Sequence, residues 1–164
     1  MKKAIALLLA LVMVFALCAC GGGGDSASGE KVVKIGVFEP ASGDSGAGGK
    51  KEMLGMQYAN QETPTVEIGG ETYKVELVYS DNGSDSAKAV SAASKLVNEK
   101  VSLVLGSYGS GVSIAASDTF KQAGIPAIGV TCTNPNVTAG NSHYFRICFL
   151  DPFQGTVLAN YASS

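Results

Sequence analysis

Hydroxyl side chains follow two apolar runs of the sequence and could bind an anionic group. The run Val101–Leu105 leads into the glycine-rich segment Gly106–Gly111, and the run Ile125–Val130 leads into Thr131–Thr133. Ser110 stands where a helix would begin, and there the unpaired backbone N–H groups and the helix dipole favour a carboxylate or a phosphate. In a second interpretation, Ser110 only caps the helix and the glycines only turn the chain.

The two runs have the composition of buried strands, and the segment between them has that of a helix. Both runs are short and rich in β-branched residues, which is typical of strands buried on both faces. Apolar residues between them recur at Ile114, Ala115 and Phe120, and Gly124 suits a helix C-terminus. Strand, helix and strand at this length predict a βαβ unit with parallel strands, so both hydroxyl-bearing segments should lie at one sheet edge.

The remaining chain alternates in the same way. Strands are predicted at Val32–Phe38 and Tyr144–Ile147, and a hairpin of residues 66–68 and 72–79 is predicted around Gly69-Gly70. Helices are predicted at about residues 50–62, from Ser84 or Asp85 to about Glu99, and from Asp151 to the end of the sequence. Five central strands alternating with helices indicate a doubly wound α/β fold with a mostly parallel sheet.

Two of these helices have an apolar face that should pack on the core. Helical spacing assigns to these faces Met53, Leu54, Tyr58 and Ala59 in the first helix, and Val90, Ala93 and Val97 in the second. Composition agrees with a globular domain, since 46% of the 164 residues are hydrophobic and 16% are charged. The formal net charge of −2 comes without a basic stripe, which argues against nucleic acid as a partner.

The N-terminus has the pattern of an export signal. A charged pair, Lys2-Lys3, precedes the apolar run Ala4–Ala16, which is short for a membrane span and has no stop-transfer charges after it. Residues 1–20 are therefore predicted to be a signal peptide, and residues 21–31 a flexible tether. The sequence Leu17–Cys20 resembles the bacterial lipobox, which implies a lipid-modified Cys20 that anchors the protein to a membrane surface.

The remaining cysteines, Cys132 and Cys148, do not indicate a metal site or a catalytic centre. An exported chain permits a disulfide between them, but two buried free thiols are the default expectation. Gly106–Gly111 lacks the dinucleotide-binding spacing, and no acidic residue closes the next strand. A Cys132–His143 nucleophile pair is conceivable, yet His143 lies in a polar loop, so we expect no enzyme activity, no metal and no cofactor.

Short motifs spread over nearly the whole chain after the tether resemble one known family. Taken together, their order and spacing resemble the amino-terminal lobe of the leucine/isoleucine/valine-type periplasmic binding proteins, the branched-chain amino acid-binding subunits of ABC transporters. These motifs are Lys34–Val37 with Pro40–Gly43, Gly55–Ala59, Val75–Asp81, Ala87–Val97, Val104–Gly106, Ser110, Ala116-Ser117, Gly124–Ile128, Phe145-Arg146 and Asp151–Gly155.

The resemblance implies a type I periplasmic-binding-protein lobe at residues 32–164, with a second lobe outside this sequence. Such proteins hold the solute between two lobes that close like a hinge. By resemblance, Ser110, Thr131, Cys132 and Thr133 would hold the α-carboxylate of an amino acid. The family's aromatic position matches Gly48, which is a departure.

Tyr108 could supply an aromatic wall in place of that missing side chain. The implied partners are an amino acid or similar solute, the permease subunits of an ABC importer, and the membrane surface. The implied location is the periplasm or the outer face of the cytoplasmic membrane. Alternatives with the same fold are the sensing lobe of a receptor, or a binding protein for an amide, urea or an aromatic acid.

Overall fold

The computed structural model describes residues 30–164, which form a six-stranded sheet with helices on both faces. The strand order is β2-β3-β1-β4-β5-β6, and every pair of neighbours is parallel except the β2–β3 hairpin. The elements are β1 Val32–Glu39, α1 Gly46–Glu62, β2 Thr65–Ile68, β3 Glu71–Asp81, α2 Ser86–Asn98, β4 Leu103–Leu105, α3 Ser110–Gln122, β5 Ala127–Gly129, a 3-10 turn Pro135–Val137, β6 Tyr144–Arg146 and α4 Asp151–Ala162.

This architecture confirms the doubly wound, mostly parallel α/β fold. The predicted signal peptide, Cys20 and most of the tether lie outside the described residues. Strands β4 and β5 are shorter than predicted because the residues before them close the preceding helices. Val101 N–H donates to the Leu96 carbonyl at 3.4 Å, and Ile125 N–H donates to the Phe120 carbonyl at 3.0 Å. Both apolar side chains are buried, so they add to the core without extending the strands.

The main core lies between the sheet and the helices α2 and α3. Phe38 of β1 and Phe120 of α3 meet edge to face, with ring centroids 5.4 Å apart. Asp85 caps α2 by accepting a hydrogen bond from Ala87 N–H at 2.7 Å. The buried face of α2 consists of Ala89, Ala92, Ala93 and Leu96.

Val90, which the sequence placed on that face, is 48% exposed.

Helix α1 covers the opposite face of the sheet, and its orientation also differs from the prediction. It begins at Gly46, four residues before the predicted start. Its inner side carries Gly49 and Met56, whereas Leu54 and Tyr58 are 62% and 65% exposed. Assigning Leu54, Tyr58 and Ala59 to the core was therefore wrong, and Met53 is only half-buried.

A groove of about 410 Å³ remains between α1 and the strands.

Helix α4 begins where the sequence predicts, with Pro152 in its first turn. None of the described side chains of α4 is buried. Within residues 30–164, no helix combines the length and the apolar character that crossing a bilayer requires.

Candidate functional site

The carboxyl ends of β1, β4 and β5 lie side by side at one edge of the sheet, because these strands are parallel neighbours. The chain passes from β1 to α1 on one face and from β4 to α3 on the other face. A crevice therefore opens between the ends of β1 and β4. Open α/β sheets bind ligands at such a switch point.

The N-terminus of α3 borders this crevice, and none of the described side chains caps it. Gly109 occupies the N-cap position in an extended conformation, so Ser110 is the first helical residue and not the cap. The Ser110 hydroxyl oxygen accepts a hydrogen bond from Asn134 N–H at 3.3 Å. Its own proton is left for another acceptor. The helix end therefore combines unpaired amides with a hydroxyl donor.

A small polar cavity of about 180 Å³ lies beside this helix end. Four serine residues line it, together with two glycines of the α3 N-terminus: Ser45, Ser84, Ser86, Ser107, Gly109 and Gly111. Ser86 is the first residue of α2, so two helix N-termini contribute to the same wall. This arrangement favours a hydrogen-bond acceptor or a negative charge.

Two polar residues at the carboxyl end of β3 hold the surrounding loops in place. Asn82 is fully buried, and its side-chain amide donates to the Ser107 hydroxyl at 3.0 Å and to the Phe38 carbonyl at 3.3 Å. Asp81 accepts hydrogen bonds from Ala41 N–H and from the Ser42 hydroxyl, at 2.8 and 2.7 Å. Slight burial opposes ionisation, but these hydrogen bonds and that of Gly83 N–H lower the pKa of Asp81.

The turn after β5 reaches the same rim. Thr131 is exposed, and its hydroxyl hydrogen-bonds to Glu52 Oε1 and lies 3.3 Å from the Tyr108 carbonyl. Thr133 is half-buried, and its carbonyl accepts a hydrogen bond from Asp151 N–H at 3.0 Å. Ser110 and the turn of Thr131–Thr133 thus lie at one edge of the sheet, as the βαβ pattern predicted.

Arg146, at the end of β6, organises the loop that follows this turn. One guanidinium nitrogen donates to the carbonyls of Cys132 and Asn134, both at 2.8 Å. The other donates to the Pro135 carbonyl at 3.0 Å and to the Thr138 hydroxyl at 2.7 Å. The sequence does not indicate this function, because a lone arginine at the end of a strand carries no signal of its own.

Cys132 has its side chain in the core and not at the rim. Its thiol donates to the Ser107 carbonyl at 2.8 Å, and burial raises its pKa to about 11. Cys132 and Cys148 are both free thiols, as expected, but Cys148 is only half-buried. His143 precedes β6 at the amino-terminal edge of the sheet, whereas Cys132 follows the carboxyl end of β5. The conceivable Cys132–His143 pair is therefore not brought together.

The ring of Tyr108 packs directly against the backbone of Gly48. A Cβ atom at Gly48 would lie 2.4 to 2.7 Å from the Tyr108 ring. The ring therefore fills the space that a side chain at residue 48 would need. Tyr108 is 40% exposed, so the residue is partly accessible to solvent. Gly48 lies in the first turn of α1, and the Tyr108 ring comes to it from the loop after β4.

A buried carboxyl group, Glu39, lies beneath Tyr108 and is 1% exposed. Its Oε2 accepts a hydrogen bond from Tyr108 N–H at 2.7 Å. Burial, followed by the adjacent Glu52 carboxyl group, raises the pKa of Glu39 to about 10, although the Tyr108 N–H lowers it. The sequence analysis missed Glu39. The available signal was its place in β1, two residues after buried Val37 on the same alternating face.

Comparison with known proteins places this geometry in a family. Residues 32–164 match the family described as periplasmic binding protein. The "Leu/Ile/Val-binding protein homolog 2" of Brucella abortus is 33% identical over 130 residues, 79% of this chain and 35% of that protein. The "Amino acid binding protein" of Pseudomonas aeruginosa is 36% identical over 132 residues, with the same coverage of both chains.

Solved structures agree with this match. The leucine binding protein LivK of Thermotoga maritima is 38% identical with a TM-score of 0.74, over 80% of this chain and 37% of that one. LivJ of Streptococcus pneumoniae, in complex with isoleucine, is 35% identical with a TM-score of 0.74, over 82% of this chain and 38% of that one. The chain therefore spans little more than a third of the length of these relatives.

Proposed function

The chain belongs to the periplasmic binding protein family, and from this premise we propose that it is part of the solute-binding subunit of an ABC importer. The proposed solute is a branched-chain or related amino acid. The observation that carries the proposal is the uncapped N-terminus of α3, where Ser110 lies at the same rim as Thr131. This class of solute is supported by relatives named as a Leu/Ile/Val-binding protein homolog and a leucine binding protein, and by LivJ in complex with isoleucine.

The solute's carboxylate is proposed to bind at the N-terminus of α3. The first amides of α3 and the free proton of the Ser110 hydroxyl supply donors, and the helix dipole adds a favourable potential. Each charge-assisted hydrogen bond is worth about 1.5–3 kcal/mol. Thr133 follows in the same turn, and its hydroxyl is proposed as a further donor to the carboxylate.

The solute's ammonium group is proposed to bind nearer to Thr131. The Thr131 hydroxyl proton is directed to the Glu52 carboxyl group, so its oxygen offers lone pairs to a donor. The Tyr108 carbonyl, 3.3 Å from that hydroxyl, is a second acceptor at the same place. Donors at α3 and acceptors at Thr131 thus fit the two ends of a zwitterion.

The side chain of the solute would lie against the exposed part of the Tyr108 ring, where Gly48 leaves room for that ring. Cys132 has its side chain in the core, so its proposed contribution is to fix the turn between Thr131 and Thr133. Apolar contact with an aromatic wall favours an aliphatic side chain over a charged one.

Residues 32–164 are proposed to form the amino-terminal lobe, with a second lobe closing over the crevice. The relatives are almost three times as long as the matched segment, which supports a further lobe. Exposed apolar side chains on α4, among them Phe153 and Leu158, agree with packing against additional chain. A lipid on Cys20 would hold the subunit outside the cytoplasmic membrane, beside the permease.

Isothermal titration of the full-length protein with L-leucine, L-isoleucine and L-valine tests the proposal. We expect binding in the micromolar range or tighter, and we expect Ser110→Ala to weaken it about 10- to 100-fold. Ser117→Ala is the matched control, because the Ser117 hydroxyl bonds only the Ile114 carbonyl of its own helix. Absence of binding for all three amino acids would overturn the proposed function. Residues 32–164 alone should bind weakly or not at all, because one lobe supplies only part of the contacts.

A further inference from the structure

We propose that Glu39 and Glu52 form a carboxyl pair that shares one proton and thereby positions Tyr108 and Thr131 at the rim of the binding site. The proposal rests on the proposed function, because its consequence is an effect on solute binding. Glu39 and Glu52 are assigned as positioning residues, since each acts through a rim residue and neither touches the proposed solute.

The hydrogen bonds of the two carboxyl groups have the same pattern. Each group directs one oxygen to the rim: Glu39 Oε2 accepts from Tyr108 N–H at 2.7 Å, and Glu52 Oε1 accepts from the Thr131 hydroxyl. The other two oxygens, Glu39 Oε1 and Glu52 Oε2, are buried and have no donor among residues 30–164. The two carboxyl groups are neighbours, since the Glu52 side chain raises the pKa of Glu39 as a hydrogen-bonding group and through its charge.

A single proton satisfies both of these buried oxygens. Two ionised carboxylates are acceptors only, so their contact becomes a hydrogen bond when one of them is protonated. The proton comes from solvent, and the pair then carries one negative charge instead of two. Burial of an unpaired acceptor or of a second charge is unfavourable, which favours the protonated pair at neutral pH. The raised pKa of Glu39, about 10, agrees with this account.

Other titratable groups near the pair remain neutral over the same range. The Cys132 thiol, from the turn after β5, has a pKa raised to about 11, mainly by burial. The Tyr144 phenol, from β6, also has a raised pKa, and burial is the first cause. Lys50 and Lys51 of α1 are exposed, and the Arg146 guanidinium is directed to the loop carbonyls after β5. Among these buried groups, the proton of the pair is therefore the first that should be lost as the pH rises.

Loss of this proton would affect the rim through several elements at once. Glu39 ends β1, Glu52 lies in α1, and their rim partners follow β4 and β5. Two adjacent negative charges would repel each other and separate β1 from α1. Tyr108 and Thr131 would then move with their acceptors, because one hydrogen bond ties each of them to the pair.

The first arm of the test needs no solute. Carbon-13 spectra of the glutamate carboxyl groups in the full-length protein should show one group that titrates above about pH 8. Glu39→Gln should remove this signal, whereas Glu62→Gln, at the exposed end of α1, should leave it in place. If every glutamate titrates below about pH 6, the carboxyl pair is overturned.

The second arm measures binding of L-leucine and L-isoleucine by isothermal titration between about pH 6 and pH 10. The affinity of wild type relative to that of Glu39→Gln should stay level to about pH 8.5 and then fall about twofold by pH 10, where half of the pair is ionised. The ratio isolates the pair because the ammonium group of the solute titrates in the same range for both proteins, whereas the amide of Glu39→Gln donates to Glu52 and accepts from Tyr108 at every pH. Glu39→Leu, which can do neither, should bind at least about tenfold more weakly than Glu39→Gln at neutral pH.

The outcomes separate this proposal from the proposed function. Binding that is equally strong in Glu39→Gln and Glu39→Leu, or that falls in parallel for wild type and Glu39→Gln, overturns the positioning function alone. No binding by wild type at any pH overturns the proposed function and the positioning function with it. A carboxyl group that titrates above pH 8, with rescue by glutamine and not by leucine, supports both.

Discussion

Replacing Glu39 by glutamine is expected to stabilise the protein at neutral pH, although it changes a buried residue of the central strand. Glu39 is 1% exposed, and its pKa is raised from 4.5 to about 10. At pH 7 the folded state therefore holds a proton that the unfolded state releases. The contribution of Glu39 to stability is fully present below pH 4.5 and is lost as the pH rises toward 10, because the unfolded state gains ionisation free energy over this interval.

The size of the effect follows from the interval between the two pKa values. One pKa unit corresponds to about 1.4 kcal/mol. The 2.5 units between 4.5 and pH 7 therefore give an upper value of roughly 3.4 kcal/mol for the loss of unfolding free energy that Glu39 causes at pH 7. Rearrangement and water entry reduce such values, and we expect about 1–3 kcal/mol at pH 7. Glutamine carries no ionisable group, yet it preserves the acceptor for Tyr108 N–H and supplies a donor to Glu52.

Urea unfolding of wild type, Glu39→Gln and the exposed control Glu62→Gln at several pH values measures this difference. The curves of wild type and Glu39→Gln should coincide near pH 4.5 and separate steadily to about 1–3 kcal/mol at pH 7. Glu62→Gln should stay within about 0.5 kcal/mol of wild type throughout. A Glu39→Gln protein that is less stable at pH 7, or a difference that does not depend on pH, would refute the reasoning.

Three further perturbations test other parts of the site. Gly48→Ala should lower the free energy of unfolding by about 1–3 kcal/mol, because the added Cβ would overlap the Tyr108 ring. In a double-mutant cycle, Tyr108→Ala in the same protein should remove most of that loss. Arg146→Met should lower the melting temperature by several degrees, equivalent to about 2–4 kcal/mol by calorimetry, because four hydrogen bonds to the loop after β5 are lost. In the folded protein at pH 8, a thiol reagent should modify half-buried Cys148 and leave Cys132 unmodified, because burial raises the pKa of Cys132 to about 11. Equal labelling rates of the two thiols would contradict the burial of Cys132.

The parallel unit around α3 could be predicted from the sequence because its signals are local and agree with one another. Short β-rich runs, a glycine at the helix end and a length suited to a crossover all indicate the same topology. The position of Ser110 and Thr131 at one edge follows from that topology alone. The exact cap did not follow, because Gly109 and Ser110 both suit the start of a helix.

The inner face of α1 could not be predicted in this way. Apolar periodicity selected Leu54 and Tyr58, but the side that faces the sheet carries Glu52 and Met56, four residues apart. A glutamate on an inner face is tolerated because Glu39 meets it from β1, and that contact joins residues far apart in sequence. The function of Arg146 was not predicted for a related reason, since three of its four acceptors are backbone carbonyls that any sequence could supply.

Tyr108 connects these observations, because three different groups of this residue are fixed by three different elements. Its N–H binds Glu39 of β1, its ring packs over Gly48 of α1, and its carbonyl lies beside the Thr131 hydroxyl after β5. A change at any one of these contacts therefore displaces the groups that meet the other two. Substitutions at Gly48, Glu39 and Thr131 should consequently be non-additive in their effect on solute affinity, whereas each should add independently to a change at exposed Glu62.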